Sequence, residues 1–151
     1  MATYSFMDVA ASITGPGGSF ALGYAQANAE EGITVTMKEA KNEMTIGADG
    51  SVMHSLHAGN GGSVTLRYLK TAPVNHQLAA MYDFQRVSSA VWGNNVLVIS
   101  DPARGDQISC RQVAFQKWPD VTYAKDGGTL EWVFDCGSID GILGDGSAGI
   151  A

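Results

Sequence analysis

The sequence predicts a mainly β protein: two packed antiparallel sheets, a sandwich or barrel, with one α-helix alongside. Three observations carry this. Short runs alternate apolar and polar residues with a period of two. Glycine-rich turn signals separate those runs. Only one segment carries a helical period.

Taken in order, "YSFMDVAASI" and "GSFALGYA" flank "TGPGG", which predicts a first hairpin. In "ITVTM" (33–37), Ile33, Val35 and Met37 share a face opposite Thr34 and Thr36. In "SVTLRYLK" (63–70), Val64, Leu66 and Tyr68 do the same. Residues 72–89 predict the helix. Pro73 suits its first position, where the missing N–H costs nothing, and Val74, Leu78, Met81, Tyr82 and Gln85 form its stripe. "NVLVIS" (95–100) is a continuous apolar run, which predicts a strand covered on both faces. "QISCRQVAFQKW" (107–118) suits a long, bent strand. Residues 120–136 read as a hairpin turning at "KDGG", with Leu130, Trp132, Phe134 and Cys136 on one face of the second arm. About seven strands result. Residues 1–144 form one domain and residues 145–151 a flexible, glycine-rich tail.

One connection does not fit. Residues 38–62, "KEAKNEMTIGADGSVMHSLHAGNGG", exceed the ~12–15 residues usual for a loop in a compact domain. Met44, Ile46, Val52, Met53 and Leu56 are apolar and need cover. They either fold back on their own domain or cover a neighbour.

The chain has 151 residues and a formal charge of −6, and only 16% of its residues are charged. That fraction is well below the ~25% of ordinary soluble domains, which suggests surface hidden against other copies. Lys and Arg are scattered singly from Lys38 to Lys125, so no basic patch points to nucleic acid. Cys110 and Cys136 read as reduced core thiols, with a disulfide between adjacent strands as the alternative. The N-terminus does not read as a signal peptide, and no run approaches ~18 apolar residues, so the expected compartment is cytoplasm and no membrane is expected.

No catalytic constellation emerges. His54 and His57 are the best metal candidates, but an i, i+3 pair on a strand points to opposite faces, and no third ligand follows at standard spacing. His76 reads as a polar-face residue of the helix. There is no G-x-S-x-G, and neither cysteine has a histidine nearby in sequence. "GADGS" and "ITGPGG" lack the lysine of a phosphate loop, and "DGILGDG" does not match a calcium loop. Glu131 and Asp135 stand roughly 13 Å apart along one strand, too far for a glycosidase pair. The expectation is no enzyme, no cofactor and no metal.

Three long stretches carry a resemblance: "YSFMDVAASITGPGGSF", "NEMTIGADGSVMHSLHAGNGGSVTLRYLKTAPVN" and "QVAFQKWPDVTYAKDGGTLEWVF". From about Thr3 to Gly144 the chain resembles the tail tube proteins of contractile-tailed bacteriophages, which are related in fold to R-type pyocin and type VI secretion tubes. The resemblance implies a homo-oligomer: hexameric rings stacked into a tube inside a contractile sheath, with sheath, baseplate and tail-terminator partners. It implies a location in the virion tail, assembly in the host cytoplasm, and a lumen that passes DNA without binding it specifically. An acidic wall suits that passage. It also implies that loop 38–62 reaches a neighbouring ring, which makes Met44, Ile46, Met53, His54, Leu56 and His57 the inter-subunit contact candidates. The competing readings are the tube of a phage-tail-like bacteriocin or secretion system, and a small β-sandwich binding module.

Overall fold

The computed structural model describes residues 3–26 and 28–145; residues 146–151 of the expected tail lie outside that range. Nine strands are described: β1 (Ala10–Gly15), β2 (Gly18–Ala21), β3 (Asn28–Met37), β4 (Asn42–Ile46), β5 (Val52–Leu56), β6 (Gly62–Leu69), β7 (Asn95–Asp101), β8 (Asp106–Phe115) and β9 (Thr129–Ile142). A 3-10 turn (Phe6–Asp8) precedes them, and α1 (Val74–Gln85) lies between β6 and β7. The fold is mainly β and antiparallel, with one helix, as the alternation predicts. Seven strands, in the order β2-β1-β7-β8-β9-β6-β3, form one sheet curled into a half-barrel. The second sheet is the two-stranded β4-β5.

A bulge between distant positions accompanies the curl. Where β8 crosses β9, Gln112 takes φ 53° and its side chain crowds Gly137, where a Cβ would lie 2.6 Å from Gln112 Oε1. Here β8 also slips register against β7, between the Asn95 and Leu97 pairs. Such a bulge bends and twists the strand that carries it. The curl brings the two ends of the strand order together. Tyr68 of β6 donates its buried hydroxyl to the Leu22 carbonyl just beyond β2, at 2.7 Å, and Asn28 Nδ2 of β3 donates to the same oxygen at 3.2 Å. Burial pushes the Tyr68 phenol well above its usual range. Tyr68→Phe should cost about 0.5–1.5 kcal/mol, because the Leu22 carbonyl keeps its Asn28 donor. Urea denaturation with an unchanged slope would register the loss.

The core lies on the inner side of the curl. β6 contributes Val64, Leu66 and Tyr68, β9 contributes Trp132, Phe134 and Cys136, and α1 contributes Val74, Leu78 and Met81. Pro73 sits one residue before α1, at its cap. Gln85, at the other end of α1, is fully buried and exchanges hydrogen bonds with Asn95 at 2.7 and 2.9 Å. Its Nε2 also reaches the Pro16 carbonyl at 2.8 Å, which ties the helix to the β1–β2 turn. Cys110 and Cys136 are buried free thiols. They hydrogen-bond to each other, and that contact together with burial pushes Cys136 up.

Two expectations change. Residues 95–100 are covered on one face only: Leu97 and Ile99 are buried, whereas Val96 is exposed. A continuous apolar run here reflects an uncovered outer face rather than a doubly packed strand. Residues 120–125 form no strand, so the predicted hairpin has only its second arm, β9. The first arm is instead part of the loop 116–128. Lys70 pins that loop, with its Nζ on the Thr122 carbonyl at 2.8 Å and 3.5 Å from the Tyr123 ring centre.

Candidate assembly surface

Residues 38–62 are a projecting β-hairpin rather than an irregular loop. β4 and β5 pair in register, with Asn42 opposite Leu56, Met44 opposite His54 and Ile46 opposite Val52. Each five-residue strand rises roughly 17 Å. The turn closes through Gly47 N–H to the Ser51 carbonyl at 2.7 Å. Asp49 accepts from the Ser51 hydroxyl at 2.6 Å and the Ser51 N–H at 3.0 Å, and these bonds lower its carboxyl below the usual range.

The base is fastened at several points. His57 N–H donates to the Lys41 carbonyl at 2.9 Å, and Lys41 Nζ reaches Asn60 Oδ1 at 2.7 Å. Ile139 of β9 donates its N–H to the Asn60 carbonyl at 2.9 Å. Gly62 lets the chain re-enter the sheet, since a Cβ there would lie 2.2 Å from the Thr36 carbonyl oxygen. Gly61, where a Cβ would lie 3.0 Å from the Cys136 carbonyl oxygen, and Gly62 thus serve close backbone approach.

Register sorts the side chains. Directly opposite residues and their i±2 neighbours share a face. One face therefore holds Asn42, Met44, Ile46, Val52, His54 and Leu56; the other holds Glu43, Thr45, Met53 and Ser55. The first face is largely apolar, yet no residue of either strand is buried. Leu56 is 80% exposed and Ile46 62%.

The six candidates divide accordingly. Met44, Ile46, His54 and Leu56 lie together, whereas Met53 and, by alternation, His57 lie on the opposite side. Val52 belongs to the strip although it is not among the six. The signal that marks it is the mirror-like alternation of 44 and 46 against 52, 54 and 56 about the "GADGS" turn. His54 Nδ1 meets Asn42 Nδ2 at 3.3 Å, while His57 Nδ1 donates to the Ala40 carbonyl at 2.8 Å and its Nε2 is 3.8 Å from Glu43. Among the described residues, no group of three or more His, Cys, Asp or Glu is placed to hold a metal ion. His76 is exposed on α1.

Two further surfaces are formed. A cleft of about 800 Å³ opens between the N-terminal segment (Tyr4, Phe6, Val9) and β3 (Ile33, Val35), with Ile99 and Ile108 also lining it. The outer face of the large sheet carries two ion pairs, Arg67 with Glu131 at 3.5 Å and Arg111 with Asp140, beside the exposed Val96. No described helix is long and apolar enough to cross a membrane.

Comparison with solved structures places the fold. A chain in the cryo-EM structure of the sheath-tube complex of an extracellular contractile injection system, PVC, in its extended state superimposes with TM-score 0.55 at 9% identity, covering 93% of this chain and 92% of that one. A chain of the anti-feeding prophage (AFP) baseplate gives TM-score 0.54 at 14% identity, over 95% and 98% of the two chains. A chain of the PVC sheath/tube terminator gives 0.51 at 8% identity, over 89% and 93%. At such identities the likeness is one of fold. No curated protein matches in sequence. A family model described as the bacteriophage PhiTE tail tube protein matches residues 1–144, which is nearly the whole chain. The chain belongs to that family of bacteriophage tail tube proteins.

Proposed function

We propose that the protein is the structural subunit of a phage tail tube, stacked as hexameric rings into the conduit for DNA ejection. The β4-β5 hairpin makes the contact between rings. The carrying observation is the strip of Met44, Ile46, Val52 and Leu56, which no described residue of its own subunit buries. A homopolymer supplies that cover repeatedly. The contractile sheath, baseplate and tail terminator are its partners in the virion tail, and assembly takes place in the host cytoplasm. The role is structural, with no catalysis. DNA passes without specific binding, in keeping with the net charge of −6 and the absence of a basic patch. Tubes of phage-tail-like bacteriocins would use the same kind of subunit, and DNA-filled particles distinguish the phage reading.

Replacing Met44, Ile46, Val52 and Leu56 with serine tests the contact. Burial of each side chain is worth roughly 1.5–3 kcal/mol, multiplied around a ring, so stacking should fail steeply. Circular dichroism should keep the native β signal while electron microscopy shows rings or free subunits. Met53→Ser, on the other face, should leave tubes intact. Normal tubes from the quadruple variant would refute the contact, and loss of the β signal would show that the strip supports its own fold.

A further inference from the structure

We infer that His54 makes ring stacking sensitive to acid, a proposal that rests on the hairpin contact just described. His54 sits at the centre of the apolar strip. Val52 and Leu56 flank it along β5, Met44 stands directly opposite, and Ile46 and Asn42 lie diagonally across. The remaining charged groups of the hairpin are directed elsewhere. Glu43 and His57 lie on the opposite face, Lys38, Glu39 and Lys41 at the base beside residues 59–61, and Asp49 in the turn. Nothing on the strip can therefore neutralise a charged imidazole. Its one polar neighbour, Asn42 Nδ2 at 3.3 Å from Nδ1, is an amide donor. That amide is neutral and brings no counter-charge to the ring.

His57 shows the opposite arrangement three residues on. A carbonyl accepts from its Nδ1, and a carboxylate lies near its Nε2. The two histidines thus stand on opposite faces with opposite surroundings, and only His54 lies where an apolar neighbour would cover it.

The direction of the effect follows from proton linkage. Histidine is the side chain that ordinarily changes charge between pH 5 and 8. If the stacked state holds His54 neutral and the free hairpin allows it to charge, stacking releases protons. Acid then favours separation. The chain's overall charge acts the other way. With a formal charge of −6 and a pI near 4.8, acidification lowers the net repulsion between copies and should promote association. Weakening on acidification therefore identifies a local group rather than bulk charge.

The experiment measures the critical concentration for tube formation, by sedimentation and negative-stain microscopy, at pH 8 and pH 5.5. For the wild-type protein it should rise on the order of tenfold or more at pH 5.5, the effect of one unit of proton linkage. His54→Gln, which keeps polarity and removes the titration, should abolish that rise; His57→Gln should retain it. A wild-type concentration that is unchanged or falls at pH 5.5 would overturn the inference, as would a rise that persists in His54→Gln. Failure of the underlying contact looks different: tubes from the Met44, Ile46, Val52 and Leu56 serine variant would show that the strip is not covered at all.

Discussion

Replacing Trp132 with alanine is expected to destabilise the subunit by ~3–5 kcal/mol, the range for deleting a large buried aromatic. Trp132 is 1% exposed near the start of β9. Its ring meets Phe115 edge-on at 5.9 Å and Trp118 at 5.7 Å, and Phe115 packs on to Phe134 at 4.7 Å. Truncation would therefore empty the middle of a connected aromatic stack. The polar consequence adds to the cavity. Trp132 Nε1 donates to Asn75 Oδ1 at 3.1 Å, and Asn75 Nδ2 in turn holds the Leu69 carbonyl at 3.0 Å, where β6 leads into α1. Losing the indole strands a buried amide oxygen and loosens the joint between strand and helix. For a chain of this size the loss should lower Tm by on the order of 10 °C. A Trp132→Ala variant that melts within about 2 °C of wild type would contradict this placement. Trp132→Phe should recover most of the packing but not the Asn75 contact, separating the two contributions.

How much of this architecture is legible in the sequence depends on the range of the interactions that specify it. β6, the second arm at β9 and the stripe of α1 follow from alternation or helical period within a dozen residues. Val64, Leu66 and Tyr68 fall on one face by spacing alone, as do Trp132 and Phe134, and those faces are the buried ones. Residues 95–100 mislead because an apolar run does not reveal whether its second face is covered. In the subunit Val96 stays exposed. Residues 120–125 carry strand-like residues, but Lys70, more than fifty positions earlier, fixes their carbonyl and ring contacts and holds them as a loop. The hairpin is visible as an oddity of length and apolar content. Its register decides which side chains share a face, and apolar content alone does not reveal register. Met53 therefore groups by composition with residues that it turns away from, while Val52 stands out only once the strands are paired. The curl of the sheet depends on a bulge at Gln112 matched to Gly137, a pairing between distant positions with no local signature.

Arg104→Met should have an effect of similar size through a different mechanism, one that nothing in the local sequence announces. The Arg104 and Asp101 side chains are each only 6% exposed. One guanidinium nitrogen reaches both carboxylate oxygens of Asp101, at 2.9 and 3.1 Å, and Asp8 at 3.0 Å; Nε donates to the Thr3 carbonyl at 2.7 Å. The β7–β8 turn thus grips the N-terminal segment, whose Tyr4 ring also lies 5.3 Å from the guanidinium. That segment forms one wall of the cleft against β3. Methionine would preserve volume but leave Asp101 as a buried, unpaired carboxylate, the costly half of a broken ion pair. Tm should fall by on the order of 10 °C. Hydrogen exchange at residues 3–9 should accelerate beyond the rest of the chain, because their anchor goes with the charge. Arg104→Lys should rescue only partly, since one ammonium cannot reproduce the forked contact with Asp101 and the Nε bond to Thr3 together. Combining Arg104→Met with Asp101→Leu removes both buried charges and should restore much of the stability, yet residues 3–9 should still exchange fast. Slow exchange there in the double variant would show that packing of Phe6 and Val9, rather than the arginine, holds the segment in place.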